Sequence, residues 1–211
     1  MHIGAAGLKA RGGDVQGEFV TLGSDRFYRI AHYDRMEPFF MSVVSASDHW
    51  MFVSSNGALT AGRRNPDHAL FPYYAVDRIH DAADHTGPRT VLRVVRGDRR
   101  LLWEPFSARC AGLYDLSRNL YKSVYSNALL FEEVNHDLGL AFRYRWSLSD
   151  RFGFVKRTEL ENLGEAAAEV EVLDGIQNIL PAGIQEAFQA RFSVLGDAYK
   201  QNELETATGL A

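Results

Sequence analysis

Hydrophobic and polar residues alternate with a period of two along most of the chain, and turn residues interrupt this alternation at short intervals. Successive side chains of a strand point to opposite faces, so the pattern predicts strands with one buried and one solvated face. We expect an all-β protein with few short helices, the one helical pattern covering Gly183 to Leu195. The predicted strands cover residues 18–22, 27–32, 38–46, 49–53, 58–61, 89–95, 99–104, 120–125, 128–135, 140–149, 152–162 and 167–173.

Two predicted strands, residues 140–149 and 152–162, are longer than the usual length of about five or six residues. Such long ribbons indicate large antiparallel sheets packed face to face, with these two strands as a central hairpin. The second strand contributes the apolar candidates Phe154 and Leu160. On the first strand the apolar residues share one face, which we expect to be buried: Leu140, Phe142, Tyr144, Trp146 and Leu148.

The bulk properties narrow the class of protein. A chain of 211 residues can bury a sizeable core, and we divide it into a loosely ordered N-terminal segment (1–17) and a β domain (18–211). A net charge of -4 and a pI near 6.0 speak against nucleic-acid or anionic-membrane partners. No run approaches the roughly 18 apolar residues of a membrane span, and no signal region is evident, so we expect a cytoplasmic location. Cys110 is the single cysteine, which excludes an internal disulfide.

Residues 52–81 carry the strongest functional signal. A strand-like run ends in Ser-Ser-Asn-Gly, and a loop dense in Arg, Asn, Asp, His and Tyr follows. A loop that only connects strands gains nothing from so many such side chains, whereas planar polar groups can bind sugar hydroxyls and aromatic faces can pack on a pyranose. The alternative is a solvated loop in which Asn65-Pro66 starts a turn. The predicted carbohydrate-binding residues are Trp50, Arg63, Arg64, Asn65, Asp67, Tyr73, Tyr74 and Asp77.

Catalytic and metal-binding candidates are weaker. Glycoside cleavage usually needs two carboxylates about 5 to 10 Å apart, but the adjacent Glu132 and Glu133 should point to opposite faces of a strand. Asp77 and Asp81 could converge, yet they also fit ordinary ion pairing. The cluster His80-Asp81-x-x-Asp84-His85 could hold a divalent metal, but its spacing fixes no geometry. We therefore assign no catalytic residue, metal or cofactor.

Several segments occur in an order seen in a known family: Ser55-Asn56-Gly57, Arg64-Asn65, Tyr74 to Asp77, Gly87 to Leu92, and Lys156 to Gly164. Over residues 25–175 this order resembles the N-terminal β-supersandwich domain of the cellobiose-phosphorylase-like glycoside phosphorylases and hydrolases. The resemblance implies an antiparallel, galactose mutarotase-like β-supersandwich. It departs from the family at residues 173–181, where a strand leading toward a Tyr-x-Glu segment is expected.

The resemblance also implies a function. The chain would be a noncatalytic or site-completing domain that lines a sugar site beside a C-terminal α/α-toroid, which carries the general acid in that family. Two alternatives stay open: a free-standing carbohydrate-binding or mutarotase-like module, and a structural or assembly domain. The end of the sequence looks like an arbitrary cut, so we expect a fragment that self-associates as a homodimer, with residues 174–195 loosely held or used in the contact.

Overall fold

The computed structural model describes residues 2–3, 6–7, 9, 13–191 and 206–207. Strands account for 50% of the described residues and helices for 11%, which confirms the predicted all-β class. Of the proposed loosely ordered segment, residues 1–17, the structure describes residues 2–3, 6–7, 9 and 13–17, and the loose order of the segment stays a prediction. Of the predicted helix, residues 186–191 are helical, and its end lies outside the described residues.

Each predicted strand overlaps an observed one, although several bounds differ. Short 3-10 helices occupy the connections, at Tyr33–Arg35, Pro66–His68, Val76–Ala82 and Ala108–Cys110. In chain order the strands are β1 (His2–Ile3), β2 (Ala6–Gly7), β3 (Gln16–Leu22), β4 (Asp25–Ala31), β5 (Phe40–Val43), β6 (His49–Ser54), β7 (Leu59–Arg63), β8 (Gly87–Arg96), β9 (Arg99–Trp103), β10 (Leu116–Ser123), β11 (Ala128–Asn135), β12 (Leu140–Ser149), β13 (Gly153–Asn162) and β14 (Glu169–Gln177).

Among the described residues, antiparallel pairing builds one large sheet and two smaller ones in an open, sandwich-like arrangement, together with a two-stranded sheet of β1 and β2. The large sheet has six strands in the order β13-β12-β11-β10-β4-β3, and the smaller sheets have the orders β5-β6-β7 and β14-β8-β9. The long hairpin forms as predicted, with Leu140 opposite Asn162. It lies at an edge of the large sheet and not at its centre, because alternation predicts which face is buried but not which strand pairs on the far side.

The core lies against the inner face of the six-stranded sheet. The apolar side of β12 is buried as expected, with Phe142 2% and Trp146 1% exposed. Tyr144 on the same face stacks on Phe131 with ring centroids 4.8 Å apart. Burial of each such large side chain contributes about 1.5–3 kcal/mol. The core therefore rests on the alternation that was visible in the sequence.

Asp174 on β14 connects the small sheet β14-β8-β9 to the large one. Its carboxylate accepts hydrogen bonds from Thr90 on β8 at 2.6 Å, and from Lys156 at 2.6 Å and Thr158 at 3.1 Å on β13. Burial lowers the pKa of Lys156, and the neighbouring Asp174 counteracts only part of that effect. Asp174, the first residue of segment 174–195, is thus fixed to neighbouring strands and not loosely held, and the alternative that the segment is used in a contact between copies stays a prediction.

Candidate functional site

An open groove of about 590 Å³ lies where the loop after β7, the β12–β13 turn and segment 180–185 meet. We refer to it as the β7-loop groove. Charged, amide, imidazole and aromatic side chains all contribute to its walls, which is the mixture expected of a site for an uncharged polar ligand. Its lining residues are His49, Gly62, Arg63, Asp67, His68, Ala69, Leu70, Phe152, Gly153, Phe154, Leu180, Ala182, Gly183 and Gln185.

Asp48 holds Arg63 at the wall of this groove. The Nε and Nη2 groups of Arg63 donate to the two carboxylate oxygens of Asp48 at 3.1 and 3.0 Å, a bidentate pairing with a fixed geometry. Arg64 donates to the same carboxylate at 3.3 Å. The hydrogen bond from Arg63 lowers the pKa of Asp48, so this carboxylate stays ionised at neutral pH. One acidic side chain thereby orients both arginines.

Asn65 stabilises the conformation of the loop through hydrogen bonds to other residues of the loop. Its Oδ1 accepts hydrogen bonds from the backbone N–H of Asp67 at 3.1 Å and from Nδ1 of His68 at 2.7 Å, and so caps the 3-10 helix Pro66–His68. An amide oxygen can only accept, so Nδ1 of His68 carries the proton and Nε2 of the neutral ring is an acceptor. Asn65 therefore fixes His68 at the groove without lining the groove itself.

The loop is also fastened to the segment that forms the opposite wall. These contacts join residues more than a hundred positions apart and set the width of the groove. Leu180 N–H donates to Leu70 O at 2.8 Å, Glu186 N–H to Asp67 Oδ1 at 3.1 Å, and Tyr73 N–H to Gln189 Oε1 at 3.0 Å.

Phe152 supplies an exposed aromatic ring at the β12–β13 turn, where it is 70% exposed. The Arg151 guanidinium lies 5.0 Å from the centre of the ring. Next to it, Phe154 is half-buried and meets the His49 ring edge to face at 5.3 Å. Gly153 connects the two phenylalanines with a φ of 68°, in the left-handed region that favours glycine. The turn thus places one aromatic ring in solvent and the other in the groove floor.

The predicted binding residues divide into two groups. Arg63 and Asp67 line the groove, as described above. Trp50 packs edge to face with Tyr73 at 5.9 Å and lies behind Gly62, and its buried Nε1 has no hydrogen-bond partner among the described residues. The remaining described positions are away from the lining: Arg64 on Asp48, Asn65 in the loop, and Tyr74 packed near Ile79. The side chain of Asp77 lies outside the described residues.

Glu132 and Glu133 direct their carboxylates to opposite faces of the sheet, as the sequence predicted. Glu133 is fully buried on the inner face, where it accepts from Arg118 at 2.6 Å. Glu132 lies on the outer face and accepts from Arg143 at 2.5 Å and Asn119 at 2.7 Å. They cannot act together on one substrate.

The His80–His85 cluster is divided by other contacts. Nδ1 of His80 is 2.7 Å from Ser54 Oγ, and Asp84 accepts a hydrogen bond from Arg89 at 3.1 Å. Across the described part of the chain, no group of three or more His, Cys, Asp and Glu side chains is placed to hold a metal ion. In the same part of the chain, no helix is long and apolar enough to cross a membrane.

Several lining residues were not predicted from the sequence. Gln185 and His49 come from segments without a local functional pattern, and Phe152 was interpreted as the start of a strand. One signal did exist for Phe152, because it stands in the polar turn Ser-Asp-Arg-Phe-Gly, where an aromatic residue has little to pack against. The chain matches no protein-family model and no curated protein. Its function is therefore argued from its own side chains.

Proposed function

We propose that this chain is a noncatalytic carbohydrate-binding domain that takes a neutral oligosaccharide into the β7-loop groove. The order of sequence motifs supports placing the domain in a larger carbohydrate-active enzyme, a glycoside phosphorylase or hydrolase. There the groove would line a sugar site beside a catalytic toroid. The observation that carries the proposal is the joint presence of exposed Phe152 and of Arg63 and Asp67 around one open groove.

The side chains of the groove suit hydroxyl groups. A hydroxyl both donates and accepts, and the groove offers a guanidinium donor in Arg63, a carboxylate acceptor in Asp67 and an imidazole in His68. The aromatic ring of Phe152 provides an apolar surface for the C–H side of a sugar ring. Because Arg63 is already held by Asp48, little orientational entropy is lost when it binds a ligand.

The charges favour a neutral ligand over an anion. Arg63 and Arg64 share the carboxylate of Asp48, and Asp67 adds a further negative charge to the wall. A phosphate or carboxylate would have to compete with Asp48 for the same guanidinium groups. A neutral oligosaccharide needs no such exchange. The charges therefore favour a carbohydrate-binding role of the loop over an anion-binding role.

Calorimetry with cello-, malto- and xylo-oligosaccharides tests the proposal on the whole chain. We expect millimolar or tighter binding of at least one series. Arg63→Ala should weaken that binding by roughly tenfold or more, because a hydrogen bond to a charged group contributes about 1.5–3 kcal/mol. Phe152→Ala should weaken it as well, with little change in melting temperature, because Phe152 is largely exposed.

Two exposed residues outside the groove provide matched controls. Tyr125 is 79% exposed in a turn, and Arg93 forms an exposed ion pair with Glu171 on the β8–β14 sheet. Tyr125→Ala and Arg93→Ala should bind like the unmodified chain. Absence of binding to every series, or equal binding by the groove and control variants, would refute the proposal.

A structural role of the loop is the second candidate. It is favoured by the three hydrogen bonds that fasten the loop to segment 180–189 and by the cap that Asn65 forms. In that case Asn65→Ala would lower the melting temperature and leave oligosaccharide binding intact. Arg63→Ala would also bind normally. The two candidates therefore predict opposite results for oligosaccharide binding by Arg63→Ala.

A further inference from the structure

A second cavity, of about 180 Å³, opens between the inner face of the six-stranded sheet and the Ser55–Gly57 turn. We call it the Arg118 cleft. It shares no lining residue with the β7-loop groove. The side chains and backbone that give it chemical character are Asp34, Asn56, Asp84, Phe106, Arg118 and Tyr144.

A buried ion pair forms the floor of this cleft. Arg118 is 8% exposed, and its Nε donates at 2.6 Å to Glu133, which is fully buried. Glu133 is fixed in turn by the indole N–H of Trp103 at 2.7 Å and the backbone N–H of Phe106 at 2.8 Å. A buried ion pair is weak support for stability, since apolar residues of similar volume often serve as well. Its position under an open cleft suggests that Arg118 is held there for a ligand.

Two of the six non-glycine residues with a positive φ in the described part of the chain line the same cleft. Phe106 and Asp84 both have a φ of 64°, in the left-handed region, which Asp adopts more readily than a bulky residue such as Phe does. The N–H of Phe106 is held by Glu133, so the strain at Phe106 and the position of Arg118 depend on one carboxylate. Residues in such conformations cluster at ligand sites, where the surrounding structure holds them in place.

The polar groups of the cleft include both hydrogen-bond donors and hydrogen-bond acceptors. Arg118 donates hydrogen bonds, Asp34 and Asp84 carry acceptors, and burial raises the pKa of Tyr144, so its phenol keeps the proton and can both donate and accept. The positive charge of Arg118 is balanced by Glu133, and Asp84 is paired with Arg89, so neither ion pair leaves a net positive charge to attract an anion. Hydroxyl groups match this mixture better than phosphate or carboxylate does.

We infer that the Arg118 cleft binds a small neutral polyhydroxy compound no larger than a single sugar ring. The volume is below the range of about 300–1,000 Å³ that is typical of sites for larger ligands, and Phe106 and Tyr144 supply aromatic surface for a ring. The inference does not rest on the β7-loop groove, because the two sites share no residue.

The methyl group of Met36 provides a direct probe, because Met36 lines the cleft. With methyl-labelled methionine in the whole chain, its signal is assigned by Met36→Leu, and D-glucose, D-galactose, myo-inositol and inorganic phosphate are titrated. We expect the Met36 signal to shift saturably with at least one of the neutral compounds and not with phosphate. Absence of a shift with all three, or a shift with phosphate as strong as with a sugar, would overturn the inference.

Two variants show whether a shift arises in the cleft. Tyr144→Phe removes one hydroxyl and keeps the ring in the core. Asp84→Asn removes one charge and keeps a residue type that tolerates positive φ. Each substitution should weaken binding about tenfold, the loss expected for one hydrogen bond. If both variants bind as tightly as the unmodified chain, the inference is contradicted. Phe152→Ala should leave the Met36 shift unchanged, so failure of the groove and failure of the cleft are distinguishable.

Discussion

Glu132 and Glu133 are neighbours in β11 but serve different networks on opposite faces of the six-stranded sheet. Glu133 neutralises Arg118 in the core, and Glu132 binds Arg143 on the outer face. Burial alone would raise the pKa of Glu132, but hydrogen bonds from Asn119, Arg143 and Tyr121 outweigh it and leave the pKa below its ordinary value. Because adjacent side chains of a strand point to opposite faces, Glu133 belongs to an ion pair in the core and Glu132 to a network on the surface.

Loss of the core carboxylate should be costly. Glu133→Gln leaves the Arg118 guanidinium buried without a counter-ion, and breaking a buried ion pair from one side costs about 3–5 kcal/mol. Glu18→Gln is the control, because Glu18 is 57% exposed in its pair with Arg29 and should lose about 1 kcal/mol at most. Urea unfolding measures both, and equal losses would mean that Glu133 does not stabilise the core.

Glu132 should make stability depend on acid pH. Its pKa in the folded protein lies below the ordinary value of 4.5, so the ionised carboxylate stabilises the fold above that pH, and this contribution is lost as the pH falls through the folded pKa. Glu132→Gln should therefore be less stable at neutral pH and should lose less stability on acidification. Thermal unfolding across the acid range measures this, with Glu159→Gln, an exposed partner of the same Arg143, as control. An unchanged acid slope in Glu132→Gln would contradict the prediction.

The pattern of alternation predicted some elements well and others poorly. The bounds of β11 and β12 match the predicted strands, and the apolar positions of β12 repeat almost every second residue. β10 begins at Leu116, before the predicted start at residue 120. Its first residues include Arg118 and Asn119, two polar residues that precede the predicted start. Both are satisfied by Glu133 and Glu132 on the next strand, a pairing that one strand alone cannot reveal.

The groove was predictable only in part for a similar reason. Arg63 and Asp67 belong to one polar loop, so their local sequence indicated a site. Phe152 and Gln185 line the same groove but are distant from that loop in the sequence. Only the tertiary packing brings them close to it. Trp50, which precedes the Asn-Gly turn, faces Tyr73 behind the groove because Gly62 leaves room for its ring.

Gly62 should therefore tolerate no side chain. A Cβ at this position would lie 2.6 Å from the backbone oxygen of His68 and 2.6 Å from the Trp50 ring, and overpacking of this kind costs about 1–3 kcal/mol. Gly62→Ala should lower the urea midpoint and change the tryptophan fluorescence. Gly175→Ala on β14 is the control, because nothing lies within 4 Å of its Cβ position. Equal urea midpoints for the two variants would show that the loop accommodates the added methyl group without a loss of stability.

Self-association stays a prediction, and β14 is the place to test it. This strand is an edge of its sheet among the described residues, and Leu173 and Val172 on it are 73% and 53% exposed. Long edges with exposed apolar residues favour pairing with another chain. Sedimentation should show a dimer that Leu173→Lys weakens and Leu163→Lys, at an exposed site outside β14, does not. A monomer at all concentrations would contradict the prediction.

Asp48 should matter for binding although it does not line the groove. Asp48→Asn removes the charge that orients Arg63 and Arg64, and an amide can offer only one acceptor where the carboxylate offers two. Oligosaccharide affinity should fall by several-fold, while the melting temperature changes little because exposed ion pairs contribute little to stability. Asp25→Asn, which loses an exposed pairing with Arg145 on the large sheet, is the matched control and should bind normally. If Asp48→Asn binds as tightly as Asp25→Asn, the orientation of Arg63 is not what selects the sugar.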